Sequence, residues 1–188
     1  MRASQNILGC ALAALALAGC YRGSAVDAPA EALARDPNWI RVDLPPVRQT
    51  GASDCGAAAL ASVLGYWGRP TSLPAIERSV DVEHGGAALG DLERFARAHG
   101  FAAYAFNAEL SDLEHELRAG RPVIVGMVKP YQPGKGIAHY EVVTGYEPVA
   151  KRILTFDPAR GLRENGVAGF LAEWQPAKRV ALVVLEQQ

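Results

Sequence analysis

A chain of 188 residues, 49% hydrophobic and 21% charged, is long enough to bury the core of one domain. Its 19 basic residues are set against 20 acidic ones, so it lacks the electrostatic footprint of a nucleic-acid-binding protein, and no nucleic-acid partner is expected. Three cysteines, Cys10, Cys20 and Cys55, are too few for a disulfide-built scaffold.

The chain opens on Arg2, an apolar stretch over residues 7–18, and the small-residue ending Leu17-Ala18-Gly19-Cys20. The apolar run is too short to cross a bilayer, so residues 1–19 read as a signal peptide. The Leu-Ala-Gly-Cys ending resembles a bacterial lipobox, which implies lipidation of Cys20 and cleavage before it. Cys10 follows a similar Leu8-Gly9 pair but has too little apolar sequence ahead of it. Tyr21 stands where an inner-membrane-retaining Asp would be. The resemblance therefore implies an envelope lipoprotein, at the outer membrane facing the periplasm in a Gram-negative cell. Cleavage leaves 169 residues with 18 basic and 20 acidic groups and Cys55 as the one free thiol. Such a thiol in an oxidising compartment is a liability unless buried or used. Residues 20–38, rich in Ala and charge, read as a membrane tether ahead of a domain over 39–188.

Within that domain the first helix is expected over residues 55–67. An Ala-rich run from Cys55 to Trp67 is capped by Asp54 or Ser53 and stopped by Gly68, with Pro70 beyond. Ser72-Leu73-Pro74 opens a short helix to residue 80, and residues 90–99 form another, with Leu92 and Phe95 inward. Residues 101–106 read as a strand. Ser111-Asp112-Leu113-Glu114 reads as a capping box opening a helix that Gly120 ends. Residues 121–128 are a buried strand, and the Gly- and Pro-containing stretch 129–138 reads as a loop. Two further strands, 139–146 and 152–157, are joined by a hairpin-length connection. A short helix over 170–174 and a strand over 179–185 complete an α+β pattern.

Cys55 is the most telling residue. A cysteine in the first turn of a helix lies beside unpaired backbone N–H groups and the positive end of the macrodipole, which favour a thiolate. Gln49 precedes it by one tight loop, short enough to bring its amide to the sulfur and, with the Cys55 N–H, to form an oxyanion hole. A thiolate nucleophile needs a base, and the base an orienting partner. His139 and Asp157 sit on the two hairpin strands. With Pro148 at the centre of the turn they are directly opposed and share a face, a register that a one-residue slip would undo.

Together these residues resemble the papain-like bacteriocin-processing (double-glycine leader) peptidase family: Gln49, the Asp54-Cys55-Gly56 step, Tyr66-Trp67-Gly68, His139-Tyr140, Val142-Val143-Thr144-Gly145-Tyr146 and Asp157-Pro158. The resemblance spans residues 42–185. It implies a papain-like fold, a helix bearing the Cys packed on an antiparallel sheet bearing His and Asp. It further implies Cys55 as nucleophile, His139 as general base then acid, Asp157 as orienter and Gln49 as oxyanion donor, with cleavage of a peptide or protein substrate after small residues such as Gly-Gly. The family is best known as a domain fused to a transporter, whereas here an export signal stands ahead of it. Gly134, Gly136 and Ala138, leading to His139, leave room for a narrow substrate.

Taken singly, each residue has a plainer reading: Cys55 as core filler, His139 as a strand-end surface residue, Asp157-Pro158 as a turn. Asp54 reads as a helix cap, since a carboxylate beside the sulfur would oppose a thiolate. His84, His99 and His115 lack paired ligand spacing, and Gly85-Gly86 is not followed by a phosphate-loop Lys, so no metal or cofactor is expected. The same triad also suits acyl transfer to an amine, and the same groove a non-catalytic peptide-binding module.

Overall fold

In a computed structural model the described residues are 21–28, 36–80 and 86–187, together with 31 and 33. The expected signal peptide with Cys20, and His84 and Gly85, lie outside them.

The Ala-rich run forms helix α1, Cys55–Tyr66, and ten of its residues, Cys55 to Leu64, are buried. Small side chains are what let a helix pack closely on every side. Gly56 is one such place: a Cβ there would meet the Tyr140 ring at 3.0 Å and Leu92 at 3.2 Å, so the first turn is seated directly on its neighbours. Two shorter helices, α2 (Leu73–Glu77) and α3 (Leu89–Ala98), pack beside α1. Their apolar faces and one face of the sheet form a core that includes Leu60, Leu64, Leu92, Ile124, Val142, Phe156, Leu182 and Val184.

The sheet carries strands β1 (Val26–Asp27), β2 (Ile40–Arg41), β3 (Phe101–Asn107), β4 (Val123–Gln132), β5 (Lys135–Glu147), β6 (Arg152–Asp157), β7 (Gly161–Gly166) and β8 (Val180–Glu186). Their order is β1-β7-β6-β5-β4-β8-β3, with β2 on β5, and every pairing is antiparallel. Helices α4 (Leu110–Arg118) and α5 (Val167–Trp174) contribute to a second core with Val123, Val125, Met127, Val143, Ile153, Ala181 and Val183. Odd and even positions of β4 and β8 thus enter opposite cores, which is why these strands read as unbroken apolar runs rather than alternating ones. The architecture is α+β and papain-like, as expected.

Several local expectations are corrected. The stretch 129–138 is not a loop: β4 and β5 stay paired through Lys129↔Ile137 and Pro130↔Gly136 and turn only at residues 133–134. The Pro and Gly residues that suggested a loop sit at the far end of a long hairpin, where a register shift falls between Pro130 and Gln132. The capping box of α4 is Glu109 with Asp112, two residues before the expected one, because the Glu109 carboxylate takes the N-cap role normally given to Ser. Strands β1, β2 and β7 were not legible. Residues 21–27, expected to be a tether, lie on the domain: β1 pairs with β7, and Tyr21 is only 7% exposed. A segment with few large apolar groups docks here through polar anchors, which composition does not reveal. Among the described residues, no helix is long and apolar enough to cross a membrane.

Candidate active site

The hairpin β5–β6 assembles the histidine and the carboxylate, though not in the expected register. Near the turn the pairs are Glu147↔Arg152, Tyr146↔Ile153 and Gly145↔Leu154; beyond it they are Val143↔Thr155 and Val142↔Phe156. Thr144 is the extra residue of a β-bulge. Continuing the register places Asp157 opposite Glu141, so His139 is its diagonal neighbour rather than its direct partner, two residues along on the same face. Without the bulge, Asp157 would fall opposite Val142 and face away from His139. β2 supports the irregularity: the Val42 N–H donates to the Thr144 carbonyl at 2.9 Å, and Arg41 pairs with Gly145. A Cβ at Gly145 would come within 3.1 Å of Leu154 and 3.3 Å of Arg41, so glycine there lets the three strands cross closely.

The resulting geometry is tight and dry. His139 and Asp157 are 5% and 1% exposed, and the His139 Nε2–H donates to Asp157 Oδ1 at 2.8 Å. Cys55, at the start of α1, is the second group whose side chain favours the charged form of His139. Burial opposes the imidazolium, but the bond to Asp157 and the influence of Cys55 outweigh it and hold His139 well above the usual imidazole range. Burial would likewise raise the Asp157 carboxyl. The hydrogen bonds from His139, from the Tyr21 hydroxyl and from the Ala159 N–H prevail and hold it well below the usual carboxylate range. Tyr140, next to Gly56, is half-buried, and desolvation together with the nearby Cys55 and Asp91 pushes its phenol up to about 12, so it remains neutral. The site therefore gathers a buried thiol side chain, a histidine held charged and the carboxylate bonded to it.

Gln49 lies in the loop before α1, and that loop is tied to the other side of the site. The Gln49 N–H donates to the Pro158 carbonyl at 3.1 Å, and Arg48 donates to the Ala159 carbonyl at 2.6 Å. The Gln49 side-chain amide donates to the Gly51 carbonyl at 2.7 Å, leaving one of its two N–H donors uncommitted. Asp54 stands at the N-cap position of α1, as expected, but its side chain makes no capping bond. Its Oδ2 accepts from the Thr50 N–H, the Thr50 hydroxyl and the Gly51 N–H at 2.8, 3.0 and 2.9 Å. The carboxylate points backwards because the tight Thr50-Gly51 turn offers three donors, and so it shapes the loop that carries Gln49.

Behind the histidine and aspartate runs a buried charge network. Lys129 Nζ pairs with Glu141 Oε1 at 2.5 Å and Glu173 Oε2 at 2.6 Å, with all three side chains at 5% exposure or less. Burial lowers the Lys129 pKa, but the two carboxylates more than offset this and raise it. His139, Glu141 and Asp157 present ligand atoms within 4.8 Å of one another. The Lys129 ammonium occupies Glu141, and His139 and Asp157 bind each other, so these donors are committed without a cation. Lys129→Met is expected to lower the unfolding free energy in urea titration by about 3–5 kcal/mol, since two buried carboxylates lose their counter-charge. Wild-type stability in that variant would mean that the network is not a closed unit.

Tyr21 was missed from the sequence. Its hydroxyl donates to Asp157 Oδ2 and lies 3.2 Å from His139 Nε2, and its ring packs 4.9 Å from the imidazole. No local signal marks a tyrosine 136 residues before its partner.

Residues 43–187 match the peptidase C39 family. The chain belongs to that family. It is a cysteine peptidase by this membership, and its fold is shared with solved C39 structures. A double-glycine motif protease from an AMS/PCAT transporter, solved with its leader peptide, is 23% identical with a TM-score of 0.64 over 78% of this chain and 94% of that one. The peptidase domain of a Streptococcus bifunctional ABC transporter involved in quorum sensing is 23% identical, with a TM-score of 0.65 over 76% and 98%. The colicin V secretion/processing ATP-binding protein of Escherichia coli is 29% identical over 128 residues. That match covers 68% of this chain but only 16% of the relative, so it concerns one domain of a much larger protein.

Proposed function

We propose that this C39 domain hydrolyses peptide bonds with Cys55 as nucleophile, His139 as proton carrier, Asp157 as its orienter and Gln49 as an oxyanion donor. The observation that carries the reading is the 2.8 Å bond between the buried His139 and Asp157, with Cys55 as the other group that favours the charged imidazole. In the first half-reaction the Cys55 thiolate forms a bond to the scissile carbonyl carbon, and the oxyanion is received by the Gln49 amide and the Cys55 N–H. The C–N bond then breaks as His139 hands its proton to the leaving amine. In the second, water gives a proton to His139 and adds to the thioester, releasing the acid and restoring the thiolate and imidazolium.

The substrate we infer is a peptide or protein cut after small residues such as Gly-Gly, consistent with the double-glycine motif in the description of the structural relative. The Leu17-Ala18-Gly19-Cys20 ending supports a lipid anchor at Cys20 and an envelope location, at the outer membrane facing the periplasm in a Gram-negative cell.

The test is the pH dependence of Cys55 alkylation by iodoacetamide. In wild type, alkylation is expected to be fast at pH 6.5, and His139→Ala should slow it at that pH by about tenfold or more. A profile indifferent to His139 would sink the pairing and favour a groove that holds peptides without cutting them.

A further inference from the structure

We propose that Tyr21 is a positioning residue of the reaction, and that docking of residues 21–27 on the domain completes the active centre. This rests on the catalytic reading of Cys55, His139 and Asp157 above. Asp157 is 1% exposed, so its carboxylate must find its partners within the protein. Oδ1 accepts from the His139 Nε2–H and from the Ala159 N–H, both at 2.8 Å. Oδ2 accepts from the Tyr21 hydroxyl. Burial, the Asp157 charge and the bond to it all raise the Tyr21 pKa, so the phenol stays protonated and can only donate to this carboxylate. The acceptor plane is thereby fixed from both sides, and with it the imidazole that bonds to Oδ1.

The tyrosine is held in place by its own segment. Arg22 N–H donates to the Pro130 carbonyl at 2.6 Å, and Ser24 gives its N–H and hydroxyl to Glu173 Oε1 at 2.8 and 2.9 Å. Asn165 donates to the Ser24 hydroxyl at 2.8 Å, Arg160 to the Tyr21 carbonyl and Arg163 to the Ala25 carbonyl. Val26–Asp27 then joins the edge of the sheet at β7. The Arg160 guanidinium lies 4.3 Å from the centre of the Tyr21 ring, a cation–π contact that adds to the hold on the side chain. Glu173 links this segment to the Lys129–Glu141 network, whose Glu141 sits opposite Asp157. A segment that only tethered the domain would need none of these bonds.

The experiment compares wild type, Tyr21→Phe, Asp157→Ala and the double variant in the full chain. It reads turnover of a fluorogenic peptide amide with Gly-Gly before the scissile bond, the acid limb of its pH profile, and thermal unfolding. Tyr21→Phe keeps the ring and removes the donor, so kcat is expected to fall about tenfold with KM unchanged. The acid limb should move to higher pH, because Asp157 loses a bond that favours its charged form. In the Asp157→Ala background the Tyr21→Phe change should cost nothing further. A merely structural tyrosine would lower the unfolding temperature and leave the acid limb in place. That result, or wild-type kcat in Tyr21→Phe, overturns the proposal while the catalytic reading stands. Wild-type turnover in a Cys55→Ala control would instead overturn the catalytic reading, and the role of Tyr21 with it.

Discussion

Cys55→Ala is expected to fold as the wild type does and to lose turnover by at least about 10⁴-fold, the scale on which nucleophile removal acts when base and orienter work only through it. The prediction of folding is physical. Cys55 sits at the start of a helix already composed of Ala57, Ala58, Ala59 and Ala61, and alanine keeps its Cβ and raises helix propensity. What is lost is one sulfur atom in a buried site, at a cost of about 1 kcal/mol, too little to unfold a domain of this size. His139 should lose one of the two partners that hold it charged, and its pKa should move downward toward the usual imidazole range. Three measurements check this: circular dichroism for the fold, peptide turnover for the chemistry, and titration of the His139 ring by NMR for the pairing. Residual turnover within tenfold of wild type would remove Cys55 from the mechanism.

Deleting Thr144 is expected to abolish turnover as completely as removing the nucleophile, although its side chain touches none of the reacting groups. The bulged residue changes the parity of β5. Between the turn and Gly145 the hairpin is paired so that Asp157 would face away from His139; one extra residue restores them to a common face. Removing it should leave Asp157 opposite Val142, bury a carboxylate among apolar side chains and break the 2.8 Å bond to His139. Thr144→Ala is the control, because it keeps the residue count and the carbonyl that receives the Val42 N–H. It should retain turnover within about threefold, since its hydroxyl makes only a 3.5 Å contact with the Leu154 carbonyl, at the outer limit of a hydrogen bond. Iodoacetamide alkylation against pH distinguishes the outcomes. The deletion variant should resemble His139→Ala rather than wild type, and a wild-type profile would show that the bulge does not set the pairing.

The largest effects thus come from one residue the sequence makes conspicuous and one it does not. Cys55 stands out because its surroundings are local: a helix-opening step, an Ala-rich run behind it and a glycine stop. The bounds of β6 and the helical character of residues 89–98 were legible for the same reason, each being set by side-chain period and flanking residues over a few positions. Even the resemblance to the peptidase family rests on short local strings around Gln49, Cys55, His139 and Asp157.

Direction and facing were another matter. Asp54 was expected to bond forward into α1 and instead bonds backward to Thr50 and Gly51, because a carboxylate takes whichever donors the loop presents. The stretch 129–138 carries turn-forming residues, yet pairing with its own hairpin partner keeps most of it extended.

By itself, the sequence determined that one reactive-looking thiol opens a helix ahead of a histidine and an aspartate on neighbouring strands, because helix ends, strand periods and motif strings are short-range properties. Only the tertiary structure decided that these side chains meet. The facing of His139 and Asp157 depends on a bulge held by a third strand, and the second oxygen of Asp157 is satisfied by a tyrosine 136 residues away. Both are long-range hydrogen bonds, whose partners become neighbours only when the sheet closes.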